Sequence, residues 1–238
     1  RLRQRRCASC VTRPRAKNSR IISTDMRSKR IDAIVAAVPR CRVAADIGCD
    51  HGYIGAALLR RGKAEKVVFA DISAPSLEKA RRLCEKEGLT DRAEFFVCDG
   101  TAGIRRADCV VIAGMGGKES IHILEECAFE PSFVVLQPMK NLPDVRKYVA
   151  GRYRIISDRI IKDGKFYNII ALEKGSDTLT EDEILFGRSN LKEPDGDFRQ
   201  YIAAETAKTK KLLAENAACA AKAGYLGRLE AIAEELGL

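Results

Sequence analysis

The stretch V-A-A-D-I-G-C-D-H-G-Y-I-G, residues 43–55, decides the predicted fold class. Its apolar start at 43–47 predicts a buried strand, and residues 52–61 predict the helix that follows. The loop between them carries two aspartates, a glycine and one of the chain's two histidines. Because ligands of open α/β sheets bind beyond the carboxyl ends of the strands, this loop predicts a ligand site.

Outward from this stretch, predicted strands and helices alternate, and two β-rich runs joined by a Gly-containing turn at 162–165 close the pattern. The order predicts an α/β fold with a doubly wound, mostly parallel, seven-stranded Rossmann-like sheet and an antiparallel edge hairpin. The predicted strands are 43–47, 66–70, 94–98, 109–113, 133–136, 153–161 and 166–172, and the predicted helices are 28–38, 52–61, 75–87, 118–127 and 142–149.

The last quarter of the chain shows no strand pattern and predicts a helical extension. Its helical segments are 180–186, 198–221 and 226–236. We expect the last two to form an antiparallel hairpin, a short coiled coil, with Gly224 and Gly227 between them. The predicted parts are a basic tail at 1–25, an α/β domain at 26–175 and the helical extension at 176–238.

The formal net charge of +9 is concentrated near the N-terminus. Residues 1–24 hold eight Lys or Arg side chains and no acid, and we expect the tail to be disordered. Two interpretations of the tail stay open: an upstream extension of a protein that naturally begins at Met26, or a basic arm that contacts RNA. Residues 26–175 carry a net +6, which suits a polyanionic partner or an ordinary mixed surface, whereas 176–238 carry −4.

Apolar and cysteine patterns predict a cytoplasmic protein. No apolar run approaches the ~18 residues of a membrane span, and no signal segment follows the basic start. Nine cysteines are present, yet only Cys7 and Cys10 have C-x-x-C spacing, and no second pair completes a zinc site. We therefore expect no membrane contact, no metal, and reduced thiols that are mostly buried.

Glycines and polar residues recur where the predicted strands end. Any one of them commonly marks a tight turn or a helix cap, but their recurrence in strand order indicates a single ligand site. The residues are Asp46, Gly48, Cys49, Asp50 and His51 after the first strand, Asp71 and Ile72 after the second, Asp99 and Gly100 after the third, Gly114, Met115, Gly116 and Gly117 after the fourth, and Gln137 and Pro138 after the fifth.

The chemistry of these loops favours S-adenosylmethionine over a dinucleotide. Asp71 lies 25 residues after Asp46, where an acid can accept hydrogen bonds from both ribose hydroxyls, and Asp99 is placed to meet an adenine edge. The G-x-G-x-x-G pattern is broken by Asp50. Carboxylates here would repel a pyrophosphate and attract a cationic nucleoside, so a nicotinamide oxidoreductase is disfavoured.

Five motifs resemble, in order, those of the bacterial tRNA (adenine-22 N1)-methyltransferases: VAADIGCDHGYIG, VCDG, IAGMGG, VVLQPM and DGKFYNIIALEKG. The resemblance covers roughly residues 28–236. It implies a class I S-adenosylmethionine-dependent enzyme with a coiled-coil extension and tRNA as its partner. Gly187-Arg188 departs from the Gly-Pro that the family usually has there.

The resemblance also implies roles for individual residues. The implied cofactor contacts are Asp46, Gly48, Asp71, Asp99 and Gly100, to which we add their neighbours Cys49, Ile72 and Gly114 as candidates. The loop at 114–117 is implied to lie beside the methyl group and the base, which makes Met115 a candidate catalytic residue and Gly116, Gly117, Gln137 and Pro138 candidate substrate contacts. Packing is the alternative for Cys49 and Met115, and a tight turn is the alternative for the glycines.

Asp50 and His51 are the remaining catalytic candidates. Adenine N1 carries an in-plane lone pair, and its methylation leaves a positive charge on the ring. We predict that Asp50 accepts a hydrogen bond from the exocyclic amine and stabilises this charge, while His51 orients it or accepts a proton. The alternatives are a helix cap for Asp50 and a structural hydrogen bond for His51.

Two other functions fit the same residues. One is a small-molecule methyltransferase whose helical hairpin forms a dimer, and the other is an RNA-binding scaffold protein with a vestigial cofactor pocket. The glycine-rich loop at 114–117 favours N1 over the exocyclic amine, because amino-group methylases generally place Asn or Asp, Pro-Pro and an aromatic residue there. A monomer is favoured over an oligomer.

Overall fold

The computed structural model describes residues 28–215 and 220–238, and a seven-stranded sheet forms its centre. The strands are β1 (Cys41–Ile47), β2 (Ala64–Asp71), β3 (Ala93–Val97), β4 (Cys109–Ala113), β5 (Phe133–Gln137), β6 (Tyr153–Asp163) and β7 (Lys165–Lys174). Their order is β3-β2-β1-β4-β5-β7-β6, with β1 to β5 parallel and β7 antiparallel to both of its neighbours. The predicted fold class is confirmed, including the antiparallel edge hairpin.

Helices cover both faces of the sheet. They are α1 (Lys29–Ala37), α2 (Tyr53–Arg60), α3 (Ala74–Glu87), α4 (Gly117–Glu125), α5 (Leu142–Ala150), α6 (Glu181–Phe186), α7 (Arg188–Lys192), α8 (Gly196–Glu215) and α9 (Ala220–Glu235). Successive strand side chains point to opposite faces, so Ala44 packs under α1 to α3 and Ala45 packs under α4 and α5. The near-continuous apolar strands follow from burial on both faces.

The edge hairpin holds the start of α1. Gly164, which has φ +70, joins the two strands in a tight turn. Their hydrogen-bonded pairing therefore reaches Asp163 and Lys165, beyond the predicted strand ends at 161 and 166. Ser28 caps α1 by accepting the Ile31 N–H, and its Oγ donates to Asp163 Oδ2 at 2.8 Å. The first turn of α1 is therefore fastened to the hairpin turn, beside the carboxyl ends of the central strands.

The helical extension packs on the outer strand β6 through a third apolar cluster, formed by Ile160, Phe186, Phe198, Ile202, Leu229 and Ile232. Arg199 at the start of α8 donates to the Leu236 carbonyl beyond the end of α9, at 2.6 Å. The two helices are therefore antiparallel, as predicted. Residues 216–219 between them lie outside the described part of the chain.

The prediction that Gly224 and Gly227 separate these helices is wrong, because both lie inside α9. Each glycine costs a helix about 1 kcal/mol relative to alanine. Packing of α9 through Leu229 and Ile232 offsets that cost.

A buried ion pair joins the extension to the sheet. Arg146 on α5 and Asp158 on β6 are each 1% exposed, and they form two hydrogen bonds, of 2.6 and 3.0 Å. Arg146 Nη1 also donates to the carbonyls of Ile184 and Leu185 in α6, at 3.1 and 2.9 Å. This polar network crosses the predicted boundary at residue 175, and the division into domains stays a prediction.

The tail at 1–25, with Cys7, Cys10 and the neighbouring Met26, lies outside the described residues. Within 28–215 and 220–238, no helix combines the length and apolar composition needed to cross a bilayer. Over the same ranges, no three His, Cys, Asp or Glu side chains are grouped so that they could hold a metal ion. Cys49, Cys84 and Cys109 are buried free thiols.

Candidate active site

A cavity of about 300 Å³ opens at the carboxyl ends of β1 and β4. These strands pair in parallel, so the loop after each one reaches the same edge of the sheet. The lining residues are Arg30 and Ile31 of α1, Gly48, Cys49, Asp50 and His51 of the first loop, Tyr53 and Ile54 of α2, and Ala113, Gly114 and Met115 of the fourth strand end. Six of the predicted site residues therefore meet in one place.

The loop after β1 has an unusual backbone. Gly48, Asp50 and Gly52 have φ of +66, +46 and +72. A positive φ is uncommon outside glycine, although Asp is among the residues that tolerate it. The N–H groups of Gly48 and Cys49 both donate to the Ala70 carbonyl, at 2.8 and 3.0 Å, which fixes the loop to β2.

Asp71 lies at the end of β2 and is held by two backbone donors. Its Oδ2 accepts the Asp50 N–H at 2.9 Å, and its Oδ1 accepts the Ser73 N–H at 2.8 Å. A carboxylate offers about four acceptor positions, so both oxygens can still accept hydroxyl donors. Ile72 beside it is 72% exposed, and it does not line the cavity.

Asp46 occupies a different environment from the other acids. It is 2% exposed, lies outside the cavity lining, and accepts the Gly55 N–H near the start of α2 at 2.9 Å. Burial raises the pKa of the Asp46 carboxyl to about 7, against the opposing effect of that hydrogen bond. Asp46 therefore satisfies a helix donor from within the core.

Asp50 and His51 form a hydrogen-bonded pair at the cavity wall. His51 Nδ1 lies 2.6 Å from Asp50 Oδ2, and the imidazole stacks on Tyr53 with 5.5 Å between ring centroids. Partial burial opposes ionisation of Asp50, but the His51 hydrogen bond and the nearby Lys79 charge hold its pKa below the usual value. Asp50 does not cap α2, because the N-cap residue is Gly52 and receives no side-chain bond.

The loops after β4 and β5 are bonded together. Gly114 N–H donates to the Gln137 carbonyl at 3.0 Å, and Met139 N–H donates to the Met115 carbonyl at 2.7 Å. Gly117 is packed so closely that a Cβ there would lie 2.4 Å from the Lys140 carbonyl oxygen. Of the predicted substrate contacts, Gly116 is half-buried, whereas Gly117, Gln137 and Pro138 are buried; their roles stay predictions.

Asp99 and Gly100 lie apart from this cavity. They line a second one, of about 400 Å³, together with Thr101, Ala102, His122, Ile123 and Glu126. Of the predicted cofactor residues, Gly48, Cys49 and Gly114 line the first cavity and Asp99 and Gly100 line the second, whereas Asp46, Asp71 and Ile72 line neither of the two. Contacts of Asp99 with an adenine edge stay a prediction.

Sequence reasoning missed Arg30, which lines the first cavity from α1. One signal was available: Lys29 and Arg30 occupy the first helical turn, where the helix dipole disfavours cations. A cation in this electrostatically unfavourable position indicates that its side chain has a binding role.

Gly48→Ala should weaken binding of the cofactor predicted from the sequence by about 10-fold or more. The new Cβ would lie 1.9 Å from Met115 Cε and push that side chain into the cavity. Titration calorimetry with S-adenosylhomocysteine measures the effect. Gly62→Ala is the control, because Gly62 also has a positive φ but has open space around it. Equal weakening by both variants would rule out the contact with Met115 as the cause.

The free energy of unfolding of the unaltered protein, measured relative to that of Asp46→Asn, should fall as pH rises from about 4 to about 7. The folded state holds a proton on Asp46 up to a pKa of about 7, whereas the usual value is 3.8. The unfolded state releases that proton earlier, so this stabilising contribution is present at low pH and is lost as pH rises through about 7. Urea unfolding of both proteins at pH 5 and pH 8 measures it, and a difference independent of pH would contradict the shift.

Comparison with known proteins identifies relatives over most of the chain. A sequence profile described as "Methyltransferase domain" matches residues 27–170. The chain is 31% identical over 174 residues to the tRNA (adenine(22)-N(1))-methyltransferase of Bacillus subtilis, covering 70% of this chain and 73% of that protein. The crystal structure of the B. subtilis M1A22 tRNA methyltransferase matches with a TM-score of 0.70 and 28% identity, covering 87% of this chain and 95% of that one.

A second solved structure matches more closely in shape. It is a Streptococcus pneumoniae protein, a candidate tRNA (m1A22) methyltransferase, in complex with S-adenosyl-L-methionine. Its TM-score is 0.79 at 25% identity, and the match covers 87% of this chain and 99% of that one. The similarity therefore includes the helical extension as well as the sheet.

Proposed function

The chain belongs to the family of tRNA (adenine(22)-N(1))-methyltransferases, and from this premise we propose which residues carry its reaction. The enzyme transfers a methyl group from S-adenosylmethionine to N1 of an adenine in tRNA. The family, function and cofactor predicted from the sequence are thereby confirmed. We propose nucleotide 22 as the target, the cytoplasm as the compartment and a monomer as the active unit.

The residues of the cavity suit this cofactor. The loop after β1 lines the cavity with Gly48, and Asp71, at the end of the adjacent strand β2 and outside the cavity lining, keeps acceptor capacity for ribose hydroxyls. The carboxylate of Asp50 beside the start of α2 disfavours a phosphate group and favours a cation. When bound, S-adenosylmethionine supplies a methyl group already activated by its sulfonium, so the protein's task is to position and stabilise the adenine.

The Asp50–His51 pair is the observation that carries the catalytic proposal. Asp50 stays ionised at neutral pH because its pKa is lowered, so its oxygens act as acceptors only. One oxygen is bonded to His51, and the other accepts a hydrogen bond from the exocyclic amine of the target adenine. As N1 becomes alkylated and the ring becomes positive, this fixed negative charge stabilises it. His51 orients Asp50 and is itself held by stacking on Tyr53.

The substrate must present an adenine whose N1 is unpaired, because a Watson–Crick pair hides that atom. RNA is recognised largely through its shape and through bases that leave the stack. Exposed Lys118 and Lys140 follow the loops after β4 and β5 and suit contacts with phosphates. The net charge of −4 on residues 176–238 argues against phosphate binding along the whole extension.

Mapping the modified nucleotide in tRNA tests the proposed function. Unmodified tRNA is incubated with purified protein and S-adenosylmethionine, and 1-methyladenosine is located by primer extension and mass spectrometry. We expect one methylated adenine, at nucleotide 22. Methylation of metabolites but not of tRNA would support the small-molecule enzyme, and cofactor binding without any turnover would support the scaffold protein.

A further inference from the structure

The guanidinium of Arg30 is held rigidly at the cavity wall. Its Nε donates to Gln137 Oε1 at 2.6 Å, and its Cζ lies 5.2 Å from the centre of the Tyr167 ring. Nη2 passes so close to Gly114 that a Cβ at that glycine would lie 3.0 Å away. The backbone N–H of Arg30 donates to Asp163 Oδ2 at 3.1 Å, so both the backbone and the guanidinium of this residue have hydrogen-bond partners.

Among the described residues, no carboxylate forms a salt bridge with the Arg30 guanidinium, and Asp163 meets Arg30 at its backbone N–H instead. Its side chain is half-buried, and its hydrogen-bond acceptor, the fully buried Gln137, is neutral. Gln137 Nε2 donates to the Pro138 carbonyl, which leaves Oε1 directed at Arg30. A partly desolvated guanidinium without a carboxylate is costly unless a ligand supplies an anion.

We propose, resting on the proposed function, that Arg30 binds the carboxylate of the amino-acid portion of S-adenosylmethionine. Of the described residues that line the cavity, only Arg30 carries a permanent positive charge. The amino-acid portion of the cofactor carries a carboxylate that needs a cation. The planar guanidinium matches a carboxylate with two parallel hydrogen bonds, for which Nη1 and Nη2 are available.

The position of Arg30 favours a small-molecule carboxylate over an RNA phosphate. The guanidinium lies close to both the Tyr167 ring and the backbone of Gly114. Phosphates of an RNA chain pass outside the base that enters the cavity, where the exposed Lys29, Lys118 and Lys140 are better placed.

Titration calorimetry with two cofactor analogues tests the proposal. S-adenosylhomocysteine carries the amino-acid portion, whereas 5′-methylthioadenosine lacks it. We expect Arg30→Met to weaken the binding of S-adenosylhomocysteine by about 10- to 100-fold, as for loss of a charged hydrogen bond. Binding of 5′-methylthioadenosine should not change. Arg42→Met is the charge-matched control, because Arg42 is exposed near the opposite end of β1.

Two further measurements do not depend on the folding of Arg30→Met. The unaltered protein should bind S-adenosylmethionine more tightly than its decarboxylated analogue by a similar factor. Gln137→Glu should weaken S-adenosylhomocysteine binding, because the new carboxylate pairs with Arg30 and competes with the ligand.

Results other than those expected would assign Arg30 a different role or count against the proposed function. Equal weakening of both analogues would overturn the proposal and give Arg30 a purely structural role. Unchanged cofactor binding with a raised KM for tRNA would instead assign Arg30 to an RNA phosphate. If the unaltered protein binds S-adenosylhomocysteine but Arg30→Met binds it equally well, this inference fails while the proposed function stands. Absence of binding by the unaltered protein would count against the proposed function itself.

Discussion

Arg146→Met should lower the free energy of unfolding by about 3–5 kcal/mol, which corresponds to a melting temperature lower by roughly 10 °C. The variant leaves the Asp158 carboxylate buried without its partner, and it also removes the donors to the Ile184 and Leu185 carbonyls. Urea unfolding followed by circular dichroism measures the loss. Because the network joins α5 to α6, we expect the extension to loosen from β6 in the same transition.

Two further variants test whether the buried charge causes the loss of stability in Arg146→Met. The double variant Arg146→Met with Asp158→Leu should regain part of the stability, because no charge stays buried, although the two carbonyls still lack donors. Arg60→Met, at the half-exposed pair with Glu87, should cost less than about 1 kcal/mol. A cost for Arg146→Met as small as that of Arg60→Met would show that the Arg146–Asp158 pair does not hold the extension.

Asp50→Asn should lower kcat by about 10²- to 10³-fold, the usual effect of removing one preorganised electrostatic contact. Asparagine keeps the size of the side chain and tolerates the positive φ at this position, so the Asp50 N–H bond to Asp71 is preserved. The affinity for S-adenosylhomocysteine should therefore stay unchanged. Single-turnover methylation of tRNA separates the chemical step from product release.

His51→Gln is the matched variant for Asp50→Asn. Glutamine retains a donor toward Asp50 but loses both the titratable imidazole and the stacking on Tyr53. We expect a smaller loss of kcat than for Asp50→Asn, together with a flatter pH profile if His51 accepts a proton. Full activity of Asp50→Asn would remove Asp50 from the mechanism.

Much of the fold could be predicted because its signals are local. The predicted strand at 109–113 matches β4 residue for residue, and the predicted helix at 75–87 differs from α3 by one residue, with Ser73 and Gly88 as its caps. Apolar runs, caps and turn glycines act over a few residues, so a sequence displays them directly. The predictions around Gly224 failed because an exposed glycine inside a helix has the same local signature as one between helices.

The sequence by itself determined the alternating sheet, the loop chemistry at the strand ends and the preference for a cationic nucleoside. Only the tertiary structure decided which charged side chains are buried and which face the cavity. Arg146 and Lys147 are adjacent on α5, yet the first is buried against Asp158 and the second is exposed. Arg30 meets Gln137 from 107 positions away. Such pairings depend on how strands and helices are brought together, and residues near in space but distant in sequence leave no local pattern.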